Sequence, residues 1–209
     1  MKTLNTYIEE RLVLSKNKHH TEYTLFPESK EELEEMIKSE IEKNGNECSL
    51  NHIDVSKITN MRFLFASYLM HRPISYFNGD ISEWDVSNVT NMESMFADSK
   101  FNGDISNWNV SNVTNMGSMF IDSKFNGDIS NWDVSNVTKM EYMFNKAEFT
   151  GENGDISNWD VSNVKHMAYM FCGSSFNGNI SKWNVSSTAD TRYMFSACPL
   201  QNNPPKWYK

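Results

Sequence analysis

The stretch Phe77-Asn78-Gly79-Asp80-Ile81-Ser82-Glu83-Trp84-Asp85-Val86-Ser87-Asn88-Val89-Thr90-Asn91-Met92-Glu93-Ser94-Met95-Phe96 begins again at Phe101 and at Phe125 with no gap, a period of 24 residues. A fixed period of this length constrains the fold more than any other feature of the chain. One such unit cannot bury its own apolar face, so a shared core has to be built by stacking neighbours. Tryptophans mark the register at Trp84, Trp108, Trp132, Trp159 and Trp183, and the longer step to Trp159 carries three extra residues within Thr150-Gly151-Glu152-Asn153. Upstream, Leu50 to Phe65 fits the same frame, with Ile53 at the tryptophan position and Leu64 at the second methionine. Downstream, Leu200 to Trp207 keeps the Phe-to-Trp spacing, but Pro204 and Pro205 replace the Ile-Ser pair. Proline cannot donate to a further ladder, so this segment reads as a C-terminal half-coil and stop.

Within one unit, Ile81-x-x-Trp84-x-Val86 follows the L-x-x-L-x-L spacing of leucine-rich repeats and predicts a short strand. The apolar spacing then changes to Val89, Met92, Met95 and Phe96, which predicts a helix lying on that strand, with Ser87 as its N-cap. The expected fold class is therefore an α/β solenoid, a leucine-rich-repeat-like right-handed coil of about six units with a small helical N-terminal cap. Residues 1–48 form the expected capping or docking segment and residues 49–209 the solenoid. Methionine in place of leucine suits a core whose neighbours differ slightly from unit to unit.

Residues 1–48 carry no trace of the repeat. Leu4, Ile8 and Leu12 predict a first helix over Thr3 to Val13, and Thr21 to Phe26 reads as a strand ending at Pro27. Ser29-Lys30-Glu31-Glu32 is a capping box, after which Leu33, Met36, Ile37 and Ile41 share a face and Gly45 is a natural stop. That second helix leads into the first unit and is expected to cover the open end of the stack; the first helix is either part of the cap or a docking tag for another protein.

Several function classes are disfavoured by composition. The 209 residues carry a formal charge of -8, with seven basic and eleven acidic residues in 1–50 and twelve and sixteen in the rest, so neither part offers the cationic face that nucleic acid requires. No stretch approaches the roughly 20 apolar residues of a membrane span. Glu9 and Glu10 stand where an export signal needs its apolar region, so a cytoplasmic location is expected, with a phage virion as the alternative. Cys48, Cys172 and Cys198 have neither metal-site spacing nor an even count for disulfides, and inert thiols are expected.

The unit F-N-G-D-I-S-x-W-D-V-S-N-V-T-N-M-x-x-M-F resembles the repeat of the BspA-like family, atypical leucine-rich repeats of bacterial surface proteins and of proteins encoded by phages and gut bacteria. The resemblance covers about residues 50–207. The lead-in from Pro27 to Ser56 is also similar to that of gut-phage and gut-bacterial members. The resemblance implies a solenoid and suggests adhesion or protein binding, and it implies no common enzymatic activity.

The repeated polar rows are the first candidates for chemistry. Asp80, Asp104, Asp128, Asp155 and Asn179 occupy one position, which reads either as a set of turn-forming side chains or as a calcium site; turn formation is the expectation. Asp85, Asn109, Asp133, Asp160 and Asn184 form a second row in which amides relieve repulsion between like charges. The histidines share no ligand spacing, and His19-His20 reads as an exposed turn. The sequons at Asn88, Asn112 and Asn136 read as by-products of the repeat. No nucleophile or nucleotide motif is present; a catalytic site would need Cys48 and His52 brought together. Neither cofactor nor metal is expected.

Recognition is expected where units differ. Sequence varies most after the Met-Phe pair, and both insertions, Ala66 to Tyr76 and Thr150 to Asn153, fall in that connection. Tyr68, Leu69, Met70, His71 and Arg72 are its most anchor-like residues for an unknown protein partner. Tyr142, Tyr169 and Tyr193 share one position and either extend this patch or pack between units. The expected function is a non-enzymatic repeat scaffold for protein–protein interaction or adhesion; the alternative is a phage virion or host-attachment component recruited by the first helix.

Overall fold

The computed structural model describes residues 22–67 and 73–209. The predicted first helix, His19-His20 and the candidate anchors Tyr68, Leu69, Met70, His71 and Arg72 lie outside the described residues.

The one α-helix among the described residues, α1, spans Lys30–Asn44 where the capping box placed it. Ser29 Oγ accepts the Glu32 N–H at 3.2 Å, while the Glu32 carboxylate reaches back to the Glu28 N–H at 2.8 Å. At the other end Gly45 takes φ 83° and donates its N–H to Ile41 O at 2.8 Å. Leu33, Ile37 and Ile41 are buried and Met36 packs partly against the core. The predicted strand before Pro27 reduces to a single bridged residue, Leu25, paired in parallel with Ile53.

From Asn46 onward, each unit bonds to the next. Parallel bridges run Asn60 to Asn91, Asn115, Lys139, His166 and Asp190, one residue per unit and always the one preceding the first methionine position. The ladder thus follows the methionine segment, not the Ile81-x-x-Trp84-x-Val86 segment where a strand was predicted. Met92, Ser94, Phe96 and Asp98 donate to the carbonyls of Asn115, Gly117, Met119 and Ile121 at 2.7–2.9 Å. The alternate residues Met95, Ala97 and Ser99 donate back three positions, to Met92, Ser94 and Phe96.

This alternation is why the predicted helix over Val89 to Phe96 does not form. An α-helix directs each N–H four residues back in its own segment, whereas here every second N–H serves the neighbouring unit. The chain also turns left-handed at Ser94 and Asp98, with φ of 56° and 54°, and the same positions of later units repeat it. The helical part of the α/β expectation is confined, among the described residues, to α1 and to single 3₁₀ turns at Pro73–Tyr76 and Pro199–Asn202. At the predicted strand, Trp84 and Val89 close turns onto Ile81 and Val86 instead.

The core consists of side-chain rows that run through the units. Phe96, Phe120 and Phe144 stack at 5.6 Å, and a second row, Phe101, Phe125 and Phe149, stacks at 6.5 Å. The rows touch each other where one unit passes into the next, as Phe120 and Phe125 do at 4.3 Å. The tryptophans from Trp84 to Trp183 are buried, and each donates its indole N–H to a carbonyl of the preceding unit, as Trp108 does to Ile81, Trp132 to Ile105, Trp159 to Ile129 and Trp183 to Ile156, all at 2.9–3.2 Å. Trp207 repeats the contact on Ile180 at 2.9 Å and lies 6.2 Å from Trp183, so the C-terminal segment covers the last complete unit.

Candidate functional site

Polar rows clamp the turns. Asp80, Asp104, Asp128, Asp155 and Asn179 each accept the N–H of the serine two residues on, at 2.8–3.1 Å. In the second row Asp85, Asn109, Asp133 and Asp160 do the same at 3.0–3.2 Å. These are local turn bonds of the Asx kind. Burial pulls the Asp80 carboxyl upward, but bonds from Ser82 and from the Asn51 amide, 2.7 Å away, outweigh it and hold the group below its ordinary value. Among the described residues no three His, Cys, Asp or Glu side chains come together as a metal site.

The sequon asparagines have a structural task that the sequence did not disclose. The amides of Asn88, Asn112 and Asn136, and of Asn163, which holds the same position without a sequon, donate to the carbonyls of Ser56, Ser87, Ser111 and Ser135, each in the preceding unit, at 2.7–2.8 Å.

The cysteines are free, and burial pushes the Cys48 and Cys198 thiols up, opposite to the shift that activates a nucleophile. His52 lies 3.5 Å from Glu40.

The three candidate tyrosines come together. Tyr142 and Tyr169 stack with centroids 4.9 Å apart and planes 4° from parallel, and Tyr169 and Tyr193 follow at 5.0 Å and 23°. Tyr142 is 37% and Tyr193 58% exposed, so the rings extend a surface row and are not core. They occupy the left-handed position that Ser94 and Ser118 hold in earlier units, with φ of 57–59°. A bulky residue is uncommon there, and its strain is tolerated because the following unit fixes the backbone: Tyr142 donates to Ala168 O and Tyr169 to Arg192 O, both at 3.0 Å. The Tyr169 phenol is raised above its ordinary value, first by desolvation and then by Tyr142 and Tyr193.

Asp190 lies beside this row and binds Arg192 through both carboxylate oxygens, at 2.9 and 2.8 Å. These bonds bring the carboxyl down to about 2. Glu141, next to Tyr142, has one carboxylate oxygen, Oε2, buried without a hydrogen-bond partner among the described residues.

The chain matches a family described as "Mycoplasma protein of unknown function, DUF285", over residues 31–153 and again over 122–208. No curated protein and no solved structure matches it. No helix among the described residues is long and apolar enough to cross a membrane.

Proposed function

Because the chain belongs to this family of unknown function, we propose its role from its geometry: a non-enzymatic repeat scaffold that binds a protein partner through the exposed tyrosine row. The stacked units are read as a solenoid of the BspA-like, leucine-rich-repeat kind, which the resemblance of the repeat supports. The observation that carries the proposal is the contrast between two sets of rings. The phenylalanine rows and five of the six tryptophans are buried, whereas Tyr142 and Tyr193 stand at the surface in register with Tyr169. Tyrosine supplies a rigid ring and a hydrogen-bonding tip at small entropic cost, which is why it concentrates at binding hot spots. The raised thiols of Cys48 and Cys198 support a role without nucleophilic catalysis. Adhesion through the same row, in the cytoplasm or at a virion surface, is the finer form of the proposal.

The test replaces Tyr142, Tyr169 and Tyr193 by serine, the residue that the same row tolerates at Ser94 and Ser118. A partner captured by the wild-type chain is expected to be lost by this variant while its melting transition stays cooperative. Equal capture by both chains, with the same partner, overturns the assignment of the row.

A further inference from the structure

Asparagine is followed by glycine six times, at Asn44, Asn78, Asn102, Asn126, Asn153 and Asn177. Such a pair is chemically labile, because glycine has no side chain to hinder attack of its own backbone nitrogen on the asparagine side-chain carbonyl. The reaction needs Cγ to swing onto that nitrogen, so the bonds that hold each side chain decide its rate.

Five of the six are held. The Asn44 amide donates to Glu40 at 3.0 Å, and the Gly45 nitrogen donates to Ile41 O at 2.8 Å at the end of α1. Along the repeat the side-chain carbonyls form a ladder. Asn78, Asn102 and Asn126 accept the backbone N–H of Asn102, Asn126 and Thr150 in the following unit, at 2.8–2.9 Å. Each bond directs the side chain at the next unit and away from its own glycine. Across the insertion, Asn153 donates its amide to Asn126 O at 2.9 Å, and Gly154 is buried close against Ile129.

Asn177 is the last rung. Its own N–H is bound to Thr150 O at 3.1 Å, but Gln201, which stands where the next unit would bind its side chain, donates its N–H to Cys198 O instead, at 3.0 Å. The Asn177 residue is exposed, and neither its side chain nor the Gly178 N–H makes a hydrogen bond among the described residues.

We propose that Asn177 is a site of spontaneous deamidation, where the folded chain converts while its other Asn-Gly pairs are protected. The Gly178 nitrogen attacks Asn177 Cγ, and the new N–Cγ bond closes a cyclic imide. The Cγ–Nδ2 bond breaks, and ammonia leaves with the proton from the Gly178 nitrogen. Water then opens the imide at either carbonyl, giving aspartate or isoaspartate. Both products place a carboxylate at the end of the ladder. Isoaspartate also routes the backbone through Cβ, lengthening the step next to Phe176, whose ring stacks on Phe171 at 4.1 Å.

The full chain is incubated in mildly alkaline buffer, folded and in parallel unfolded in urea, and then digested with trypsin. Lys57, Lys100, Lys124, Lys146 and Lys165 stand between the six pairs and place each in its own peptide. Mass spectrometry follows the mass gain of each peptide, and an isoaspartyl methyltransferase labels the isoaspartate. In the folded chain Asn177 is expected to convert at least about tenfold faster than the other five, each of which must first break a hydrogen bond. In urea the six are expected to convert at similar rates, and Asn177→Gln removes the fast site from the folded chain. Conversion of another pair as fast as Asn177 in the folded chain, a ranking unchanged by urea, or an Asn177 that converts only in urea overturns the proposal.

Discussion

Trp132 donates its indole N–H to the carbonyl oxygen of Ile105, 3.1 Å away in the preceding unit, and the same bond recurs from Trp84 to Trp207. It joins two functions in one side chain, since the ring fills the core and the nitrogen fixes the register of the unit beneath it.

Trp132→Phe retains much of the ring but leaves the Ile105 carbonyl without its donor, and is expected to cost about 1–3 kcal/mol. Trp132→Ala adds a cavity and is expected to cost about 3–5 kcal/mol. Denaturant unfolding of the two variants measures both; a phenylalanine variant as stable as the wild type would show that the bond contributes nothing.

The period revealed the tryptophan bonds' register but not their partners, because 24-residue spacing aligns like with like and Trp-to-Ile contacts fall 27 residues apart, or 30 across the insertion before Trp159. The helical stripe misleads for a related reason. Val89, Met92, Met95 and Phe96 carry a helical stripe, yet Ser94 within it and Asp98 just after it take positive φ, which ordinary residue preferences disfavour. Asp98 and Asp122 were the visible hint, since aspartate tolerates that conformation better than most. The tyrosine row was legible from its shared position alone. The free side chain of Asn177 was not, because the six Asn-Gly pairs read alike and only the hydrogen bonds around each separate them.

Close approach of backbones makes Gly79 irreplaceable. A Cβ there would stand 1.9 Å from the Cys48 carbonyl oxygen and 2.7 Å from the Phe77 ring. Gly79→Ala is therefore expected to destabilise the protein by about 1–3 kcal/mol, read as a lower melting temperature. An unchanged transition would place these two segments farther apart.

Acid sensitivity follows from the turn carboxylates. Asp190 is held at about 2 against an ordinary 3.8, by its bonds from Arg192, and Asp133 and Asp160 are lowered by the hydroxyl and N–H of Ser135 and Ser162. A carboxyl whose folded value lies below its unfolded one contributes stability above the unfolded value and loses it as pH falls through the folded one. Stability is expected to decline from near pH 4 towards pH 2, and Asp190→Asn, Asp133→Asn and Asp160→Asn together flatten that limb. A limb unchanged by the three substitutions contradicts the assignment.

Glu141 keeps its carboxylate Oε2 buried and unpaired among the described residues, with Gly117 so near that a Cβ there would lie 3.3 Å from the other oxygen, Oε1. Glu141→Gln removes the buried charge at constant shape and is expected to raise stability by about 1 kcal/mol, visible as a shifted denaturation midpoint. A loss of stability would reveal a partner for that oxygen.

The central claim is that successive units are stacked in register, each tying its indole to the unit before it. Hydrogen exchange of the tryptophan indole protons, resolved by NMR, tests this most directly. Trp108, Trp132, Trp159 and Trp183 are expected to exchange slowly and together, and the half-buried Trp207 faster. Exchange of the internal indoles at the rate of free tryptophan would contradict the stacked arrangement.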